Sequence, residues 1–418
     1  MKKPTGREVE PKDRAFGARV KAFRVAKGLT QAQLAATVGG KTSSWMSQVE
    51  RGIQPVERLD VLQDLADALE VSLQQLRPGE PTLPEGTPPP VALKSNDLDE
   101  ARRLISGHPA VGTLLATEPQ TEPRPLDELA ADVDTLWDLT HAGQLPEVSA
   151  LVVELVPELE RAVRTVRETQ RPTAYLLLAR LYQALAAAFG RQDQADAAWV
   201  AADRAINAAE RSGHPLQVCV GIFRLVHAFV RLRHLDQAEH AATSAIQALQ
   251  RMHDPSPETM SVLGSLHLAL ALAYARGSQR SDAKVEIDQA RQIARNLGED
   301  RTDFNLEFGP TNVEIQAVST AVELGDAGEA LEIGCSINAT SLSPERQSRL
   351  LMDLGRAHVQ RRHPGDALSY LLRAEKIAPE TIRTHMAART AVKELLLIAG
   401  ATPSAELLAL AERVDALE

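Results

Sequence analysis

Apolar positions near the front of the chain recur at helical spacing and are cut by strong stop signals. Phe16, Val20 and Phe23 share one face and Gly28 follows them, so a first helix is expected over about Arg14 to Lys27. Thr30 stands three residues before Gln33, the spacing of a capping box, and Leu34, Ala35 and Val38 give a second helix its apolar side. Gly39 and Gly40 break it, and Thr42 or Ser43 caps a third. That third helix divides by face. Met46, Val49 and Ile53 point to the core with Trp45 beside them, while Ser44, Ser47, Gln48 and Arg51 lie on the opposite side. Every group on that outer side forms hydrogen bonds and none is acidic, which suits the DNA major groove. Val56 to Leu69 follows as a fourth amphipathic helix, with Leu59, Leu62, Leu65, Ala66 and Leu69 inward, and "VSLQQL" as a short fifth.

From about Lys94 onward the pattern is helical almost throughout and has an internal period. In "LMDLGRAHVQRRHPGDALSYLLRAEKIAPE", Leu351, Leu354, Gly355, His358, Ala367, Leu371, Ala374 and Pro379 fall at relative positions 4, 7, 8, 11, 20, 24, 27 and 32. This resembles the tetratricopeptide (TPR) pattern, with His358 where a Tyr is usual. Small residues at 8, 20 and 27 let two helices approach closely, and the large residue at 24 fills the gap. His267, Leu270, Ala271, Tyr274, Ala283, Ile287 and Ala290 repeat the spacing, as do Ile222, Leu225, Val226, Phe229, Ala238, Ala242 and Ala245. A further copy places Tyr182 before Ala195, Trp199 and Ala202, with four extra residues assigned to the turn, and a weaker one surrounds Ala321 and Ala330. The alanines Ala195, Ala238, Ala283, Ala330 and Ala367 are 43, 45, 47 and 37 residues apart. The expectation is a curved stack of degenerate TPR-like hairpins, and an all-α protein.

Composition sharpens the division. Between the two patterns runs "PGEPTLPEGTPPP", Pro78 to Pro90, a semi-rigid spacer with six prolines in thirteen residues. Four segments are therefore expected: residues 1–77 as a five-helix domain, 78–93 as a linker, 94–122 as a connector and 123–418 as the repeat domain. Of the 418 residues 44% are hydrophobic but only 3% aromatic, so the core must be built from Leu, Ala, Val and Ile. The net charge of −10 is uneven: residues 1–58 carry 12 Lys or Arg against 5 Asp or Glu, and the remainder 34 against 51. A basic front end on an acidic body points to an anionic partner at that end. Cys219 and Cys335 are far apart in apolar helical context and read as buried free thiols. The polar start "MKKPTGREVEPKDR" lacks a signal-peptide core and the longest apolar run is interrupted by Arg180 and Gln183, which indicates a cytoplasmic protein away from the membrane.

The stretch from Arg19 to Leu76 resembles the Xre/Cro-repressor family of helix-turn-helix domains. The resemblance rests on "LTQ" at Leu29 to Gln31, "LA" at Leu34 and Ala35, and S-x-V-E-R-G at Ser47 to Gly52. The turn carries one inserted residue, and Lys41 stands where the family places a core aliphatic, so it is available to a phosphate. The resemblance implies roles at matching positions. Arg24 and Glu50 form a pair, which is either purely structural or also presents Arg24 to a phosphate. Gln31 sits against the DNA backbone. Thr42 joins Ser43, Ser44, Ser47, Gln48 and Arg51 on the reading surface, where Gln48 has the amide for bidentate contact with adenine. Lys2, Lys3 and Arg7 read as a loose tail, with a minor-groove arm as the alternative.

The combination also resembles Xre-type regulators with TPR sensor domains, including the peptide-pheromone receptors of Gram-positive bacteria and a group of actinobacterial regulators that share "FGPTNV", here Phe308 to Val313. Such stacks bind extended peptides in a concave groove. Candidate groove residues are the amides Asn207, Asn305, Asn312 and Gln316, with Arg224, Arg231 and His267 as carboxylate partners, although Asn312 could simply cap the helix that begins there. The sequence holds no HExxH, no Gly-rich phosphate loop and no paired-carboxylate signature, and "QRRHPGD" around His363 reads as an inter-helix turn. Neither catalysis nor a cofactor or metal is expected. The function expected from resemblance is sequence-specific regulation of transcription by a homodimer on a double-stranded operator, nucleoid-associated when bound, with a peptide or small-molecule effector. The alternative is a TPR scaffold for a protein partner with accessory DNA binding.

Overall fold

The computed structural model describes residues 11–38, 41–54, 56, 59–69, 71, 98–107, 124–192, 194–400 and 402–417. Lys2, Lys3, Arg7, the Gly39–Gly40 pair, the proline-rich stretch 78–93 and nearly all of the expected fifth helix lie outside them. The chain divides into two compact units, Met1–Ala92 and Leu93–Glu418.

The first unit holds α1 (Pro11–Ala26), α2 (Gln31–Thr37), α3 (Ser43–Glu50) and α4 (Leu59–Leu69). α1 begins three residues earlier than the sequence pattern suggests. The capping box of α2 is complete: the Thr30 hydroxyl accepts from the Gln33 amide, and the Gln33 side chain accepts from the Thr30 amide at 2.8 Å. Thr42, not Ser43, caps α3 through the Trp45 amide. Val20, Leu34, Ala35, Val38, Met46, Val49 and Leu65 are fully buried together. Gly17 lets α1 come close to α3, because a Cβ there would run into the Val49 carbonyl oxygen. Ile53 departs from the expectation: it follows the last turn of α3 and is 50% exposed.

The second unit begins with α5 (Asp99–Ser106), inside the stretch read as a connector, whose Ala101 and Ile105 join the unit's largest apolar cluster. Helical hairpins follow: α6 (Leu126–Ala142) with α7 (Leu145–Thr165), α8 (Arg171–Arg191) with α9 (Ala195–Ser212), α10 (Pro215–Arg231) with α11 (Leu235–Met252), α12 (Pro257–Arg276) with α13 (Arg280–Leu297), α14 (Pro310–Glu323) with α15 (Ala327–Gly334), and α16 (Pro344–Gln360) with α17 (Pro364–Ile377). α18 (Pro379–Thr384), α19 (Met386–Ala399) and α20 (Ala405–Arg413) close the chain. First helices of successive hairpins pack on one another from α8 to α16, and α16 also touches α6. The stack is therefore a TPR-like solenoid that curls far enough to bring its late hairpin back to its first.

The repeat alanines explain the close packing. Ala238, Ala283, Ala330 and Ala367 are fully buried and Ala195 nearly so. The copy at Ala195 is corrected in register. Its turn is the same three residues long as the others, so the extra residues lengthen α8 and Tyr182 takes the place of Leu225 and Leu270, one helical turn before Phe229 and Tyr274. In four of these turns the middle residue, Arg233, Ser278, Gly325 or Arg362, has a positive φ of 58–79°. α12 has a membrane-like mean hydropathy of 1.2, but 78% of that stretch is buried, as the central helix of a helical stack would be. Cys219 is buried, and burial pushes its thiol up to about 11, whereas Cys335 is exposed, contrary to expectation.

Candidate nucleic-acid interface and repeat-unit cavity

On α3 the apolar and polar faces separate as the sequence pattern requires. Met46 and Val49 are fully buried, Thr42, Ser43, Ser44 and Arg51 are exposed, and Ser47 and Gln48 are half-buried. The Arg51 Nε donates to the Ser47 carbonyl at 3.2 Å, which lays that side chain along the helix end. The Lys41 ammonium lies 5.9 Å from the Trp45 ring centre. Behind the helix, Glu50 accepts from three directions. Arg24 Nε is 2.5 Å from Oε1, Arg24 Nη2 is 3.2 Å from Oε2, and Gln31 Nε2 is 2.7 Å from Oε2. The Arg24 Nη1 donates to the Leu29 carbonyl at 2.6 Å. The hydrogen bond to Glu50 raises the Arg24 pKa despite burial.

In the second unit the curl of the solenoid encloses a cavity of about 130 Å³. Its wall is unusual for an acidic chain: Arg191, Arg224, Arg231, Arg346 and Arg349 face Glu307 and Glu345. The glutamates are engaged. Arg191 bonds Glu345, and Arg346 Nε donates to Glu307 at 2.8 Å while Ser343 donates to the same carboxylate. Burial favours the neutral acid of Glu345, but Arg191, Arg346 and Arg349 outweigh it and hold the group at about 2. Burial drives His227 and His385 well below the ordinary histidine value, and nearby arginines add to the effect. Trp137, Phe223, Leu268 and Leu272 give the same cavity an apolar side. One wall is the irregular segment between α13 and α14, where Arg301 and Phe308 form an antiparallel bridge. The Phe308 ring fills the space beside Gly264, where a Cβ would overlap it.

A family model described as "Helix-turn-helix domain" matches residues 15–78. That span covers α1 from its fifth residue onward, α2, the two-faced α3 and α4. Residues 15–78 are a helix-turn-helix domain. No curated protein matches the chain. Among solved structures, the chain is similar to Bacillus thuringiensis PlcR, solved in complex with the peptide PapR7 and DNA, at 13% identity over 88% of this chain and 96% of that one, with a TM-score of 0.33.

The helix-turn-helix domain brings together Lys41, Thr42, Ser43, Ser44, Ser47, Gln48 and Arg51 at the exposed surface of α3. Two expected contacts turn inward. Arg24 and Gln31 converge on Glu50, an arrangement that both readings of the Arg24–Glu50 pair require, and the Thr42 hydroxyl serves its cap. In the repeat unit Asn305, Asn312, Gln316, Arg224 and Arg231 all line the cavity. Asn312 does not cap α14: its Nδ2 donates to the Glu307 carbonyl, and Asp300 instead accepts from the Thr311 amide at 3.0 Å. Two candidates lie elsewhere. Asn207 is exposed on α9 and bonds the Asp203 carbonyl at 3.0 Å, because it belongs to a second, outer helix of its hairpin. His267 points to the second helix of its own hairpin, where Nδ1 lies 2.5 Å from Glu286. Sequence reasoning, directed at side-chain amides, misses Arg191, Arg346, Arg349 and His385. A usable signal is present in the repeated arginines of first helices, Arg224 and Arg231 at i, i+7 and Arg346 and Arg349 at i, i+3. At the α16–α17 turn, His358, His363 and Asp366 hold ligand atoms within 4.8 Å of one another, a donor set that fits a divalent transition metal.

Proposed function

We propose that this protein is a sequence-specific DNA-binding regulator of transcription that acts as a homodimer and whose TPR-like domain holds a signal molecule in its cavity. The observation that carries the reading is α3. Its buried face fixes it to the helix-turn-helix core, and its outer face presents serines, Gln48 and Arg51 with no acid among them. Phosphate contacts from Lys41 and Arg51 position such a helix, and Ser43, Ser44, Ser47 and Gln48 read base edges. Dimers of this motif span two half-sites one DNA turn apart, so the operator is two-fold symmetric. The work is cytoplasmic, at the nucleoid. The effector is a peptide or a small molecule, received by the arginine-lined cavity. The proline-rich residues 78–93 link the two functions.

The test is selection of bound fragments from sheared genomic DNA by the full chain, followed by affinity measurements across salt concentrations. A two-fold symmetric site should be enriched, and its affinity should exceed that for random DNA by about 10³-fold or more. Selection that enriches no sequence would leave the scaffold alternative standing and this reading without support.

A further inference from the structure

Arg224 is placed at odds with the usual treatment of buried charge. Three other arginines of the cavity wall have carboxylates: Arg191 has Glu345, Arg346 has Glu307, and Arg349 has Asp353 at 3.9 Å. Arg224 pairs with none among the described residues. Its Nη2 donates to the Asn305 carbonyl at 3.1 Å, and its guanidinium lies 5.4 Å from the Trp137 ring and 5.2 Å from the Phe223 ring. Its Nε is buried with no hydrogen-bond partner. An uncompensated buried charge costs several kcal/mol, and proteins ordinarily pair it. The aromatic contacts fix the plane of the guanidinium without neutralising it.

Three more orphaned atoms belong to the same wall, the first being the Trp137 indole Nε1. His385 Nδ1 accepts from the Ala387 amide at 3.1 Å, which places the ring proton on Nε2, and that atom is buried without a partner. Asn312 uses its Nδ2 on the Glu307 carbonyl, and its Oδ1 is buried without a partner. The cavity thus presents three unpartnered donors, Arg224 Nε, His385 Nε2 and Trp137 Nε1, one unpartnered acceptor, Asn312 Oδ1, a wall richer in arginine than in carboxylate, and an apolar side to which Trp137 and Phe223 contribute.

We infer that this cavity binds a small organic anion, with a carboxylate or phosphate ester held by Arg224 and His385 and an apolar body against Trp137 and Phe223. The inference rests on the sensing role in the proposed function and deepens it by naming the chemical class of the signal. Guanidinium recognition of a planar carboxylate or a phosphate is the pairing that gains most from a pre-oriented fork. Burial and the neighbouring Arg191 and Arg346 lower the Arg224 pKa to about 9, the direction expected of a cation that lacks an anion. The same chemistry is offered by a free acid and by the C-terminal carboxylate of a peptide.

The test uses the full chain without DNA, so it stands or falls apart from the regulator reading. Melting temperature is measured with inorganic phosphate, with indole-3-acetate, and with its neutral isostere indole-3-acetamide. The two anions should raise the melting temperature of the repeat unit by about 2 °C or more at saturating concentration, and the amide should not. R224Q should abolish the anion effect. If R224Q melts far below the parent, N312D serves instead, because an added carboxylate in the wall should repel anions and remove the shift. Random hexapeptides with free C-termini, compared with the same pool amidated, separate the sources: stabilisation by the free-acid pool alone assigns peptide carboxylates, and stabilisation by indole-3-acetate but by neither pool assigns a free acid. An absent anion effect, equal stabilisation by the amide, or an undiminished shift in folded R224Q or N312D overturns the proposal.

Discussion

The two units of this chain treat positive charge in opposite ways. In the helix-turn-helix domain Arg14, Lys21, Lys27, Lys41 and Arg51 are exposed, and the largely covered Arg24 side chain is neutralised on the spot by Glu50. The repeat unit comes from a chain portion with 51 acids and 34 bases, yet it gathers five arginines around one cavity and leaves Arg224 without a carboxylate among the described residues. Exposed charge of one sign attracts an extended polyanion and is screened by salt. Enclosed charge is screened little and favours a ligand small enough to enter. The difference teaches that net charge agrees with the DNA partner proposed for the first unit and would mislead about the anion proposed for the second.

The largest effect that would break this contrast lies in the Arg24–Glu50–Gln31 cluster. Glu50→Ala leaves a partly buried guanidinium and the Gln31 amide without their acceptor, and should destabilise the helix-turn-helix domain by about 2–3 kcal/mol. Hydrogen exchange of α1–α3 amides in the full chain would report the loss, with the repeat unit unchanged. Replacing both Arg24 and Glu50 by Met should recover much of it, because no charge is then stranded. A result in which Glu50→Ala is silent would mean that the pair is not neutralised internally.

Acid should divide the units next. The first histidine of the chain is His108, so the helix-turn-helix domain has none to titrate. His227 and His385 have folded pKa values depressed well below 6.5 by burial and by neighbouring arginines. A depressed value means the neutral ring is the folded form. Stability is therefore complete above pH 6.5 and falls as pH drops below it, by about 1.4 kcal/mol per histidine per pH unit. Thermal melts at pH 7.5 and pH 5.5 should show the repeat unit weakened by about 3 kcal/mol from these two groups. His385→Gln should flatten roughly half of that slope.

Packing gives a smaller but still local effect. Gly264→Ala drives a methyl group into the Phe308 ring and should cost the repeat unit about 1–3 kcal/mol by overpacking. Denaturant titration would measure it. The same substitution shifts the wall that carries Asn305, Glu307 and Asn312, so anion binding should weaken alongside stability.

Much of this architecture is legible in the amino-acid sequence. The capping box, the two faces of α3 and the repeat alanines are local patterns with a fixed period, and local periodicity is what sequence carries best. Register fails where the pattern is stretched: the added length in α8 reads as turn, because Tyr182 resembles the aromatics at Phe229 and Tyr274 more than Ala186 does. Ile53 fails because helical spacing does not continue past Glu50, where the chain turns through Gly52. The cavity is half legible. Asn305, Asn312, Gln316, Arg224 and Arg231 converge, whereas His267 shows that a first-helix residue has two sides, one toward the concavity and one toward its own hairpin partner. The contact between α6 and α16, and the pairing of Arg191 with Glu345 across 154 residues, depend on superhelical curl and leave no trace in any one repeat.

An effect no larger than that of Gly264→Ala tests the first unit's role most directly. Gln48 is half-buried on α3, and its backbone carbonyl is held by the Ile53 and Gln54 amides at 2.9 and 3.2 Å, which leaves the side-chain amide as the group able to pair bidentately with adenine. Gln48→Ala should relax preference at one base pair of each half-site by about 1–3 kcal/mol, roughly 5- to 150-fold, with little change in affinity for random DNA. Lys41→Ala should do the reverse, weakening all sequences and lowering the slope of log affinity against log salt by about 0.9 for each phosphate left without its cation. Arg224→Gln, in the other unit, should alter neither base preference nor salt slope when no anion is present. If Gln48→Ala and Lys41→Ala weaken specific and random DNA alike, α3 is an electrostatic handle and base reading must be sought elsewhere in the domain.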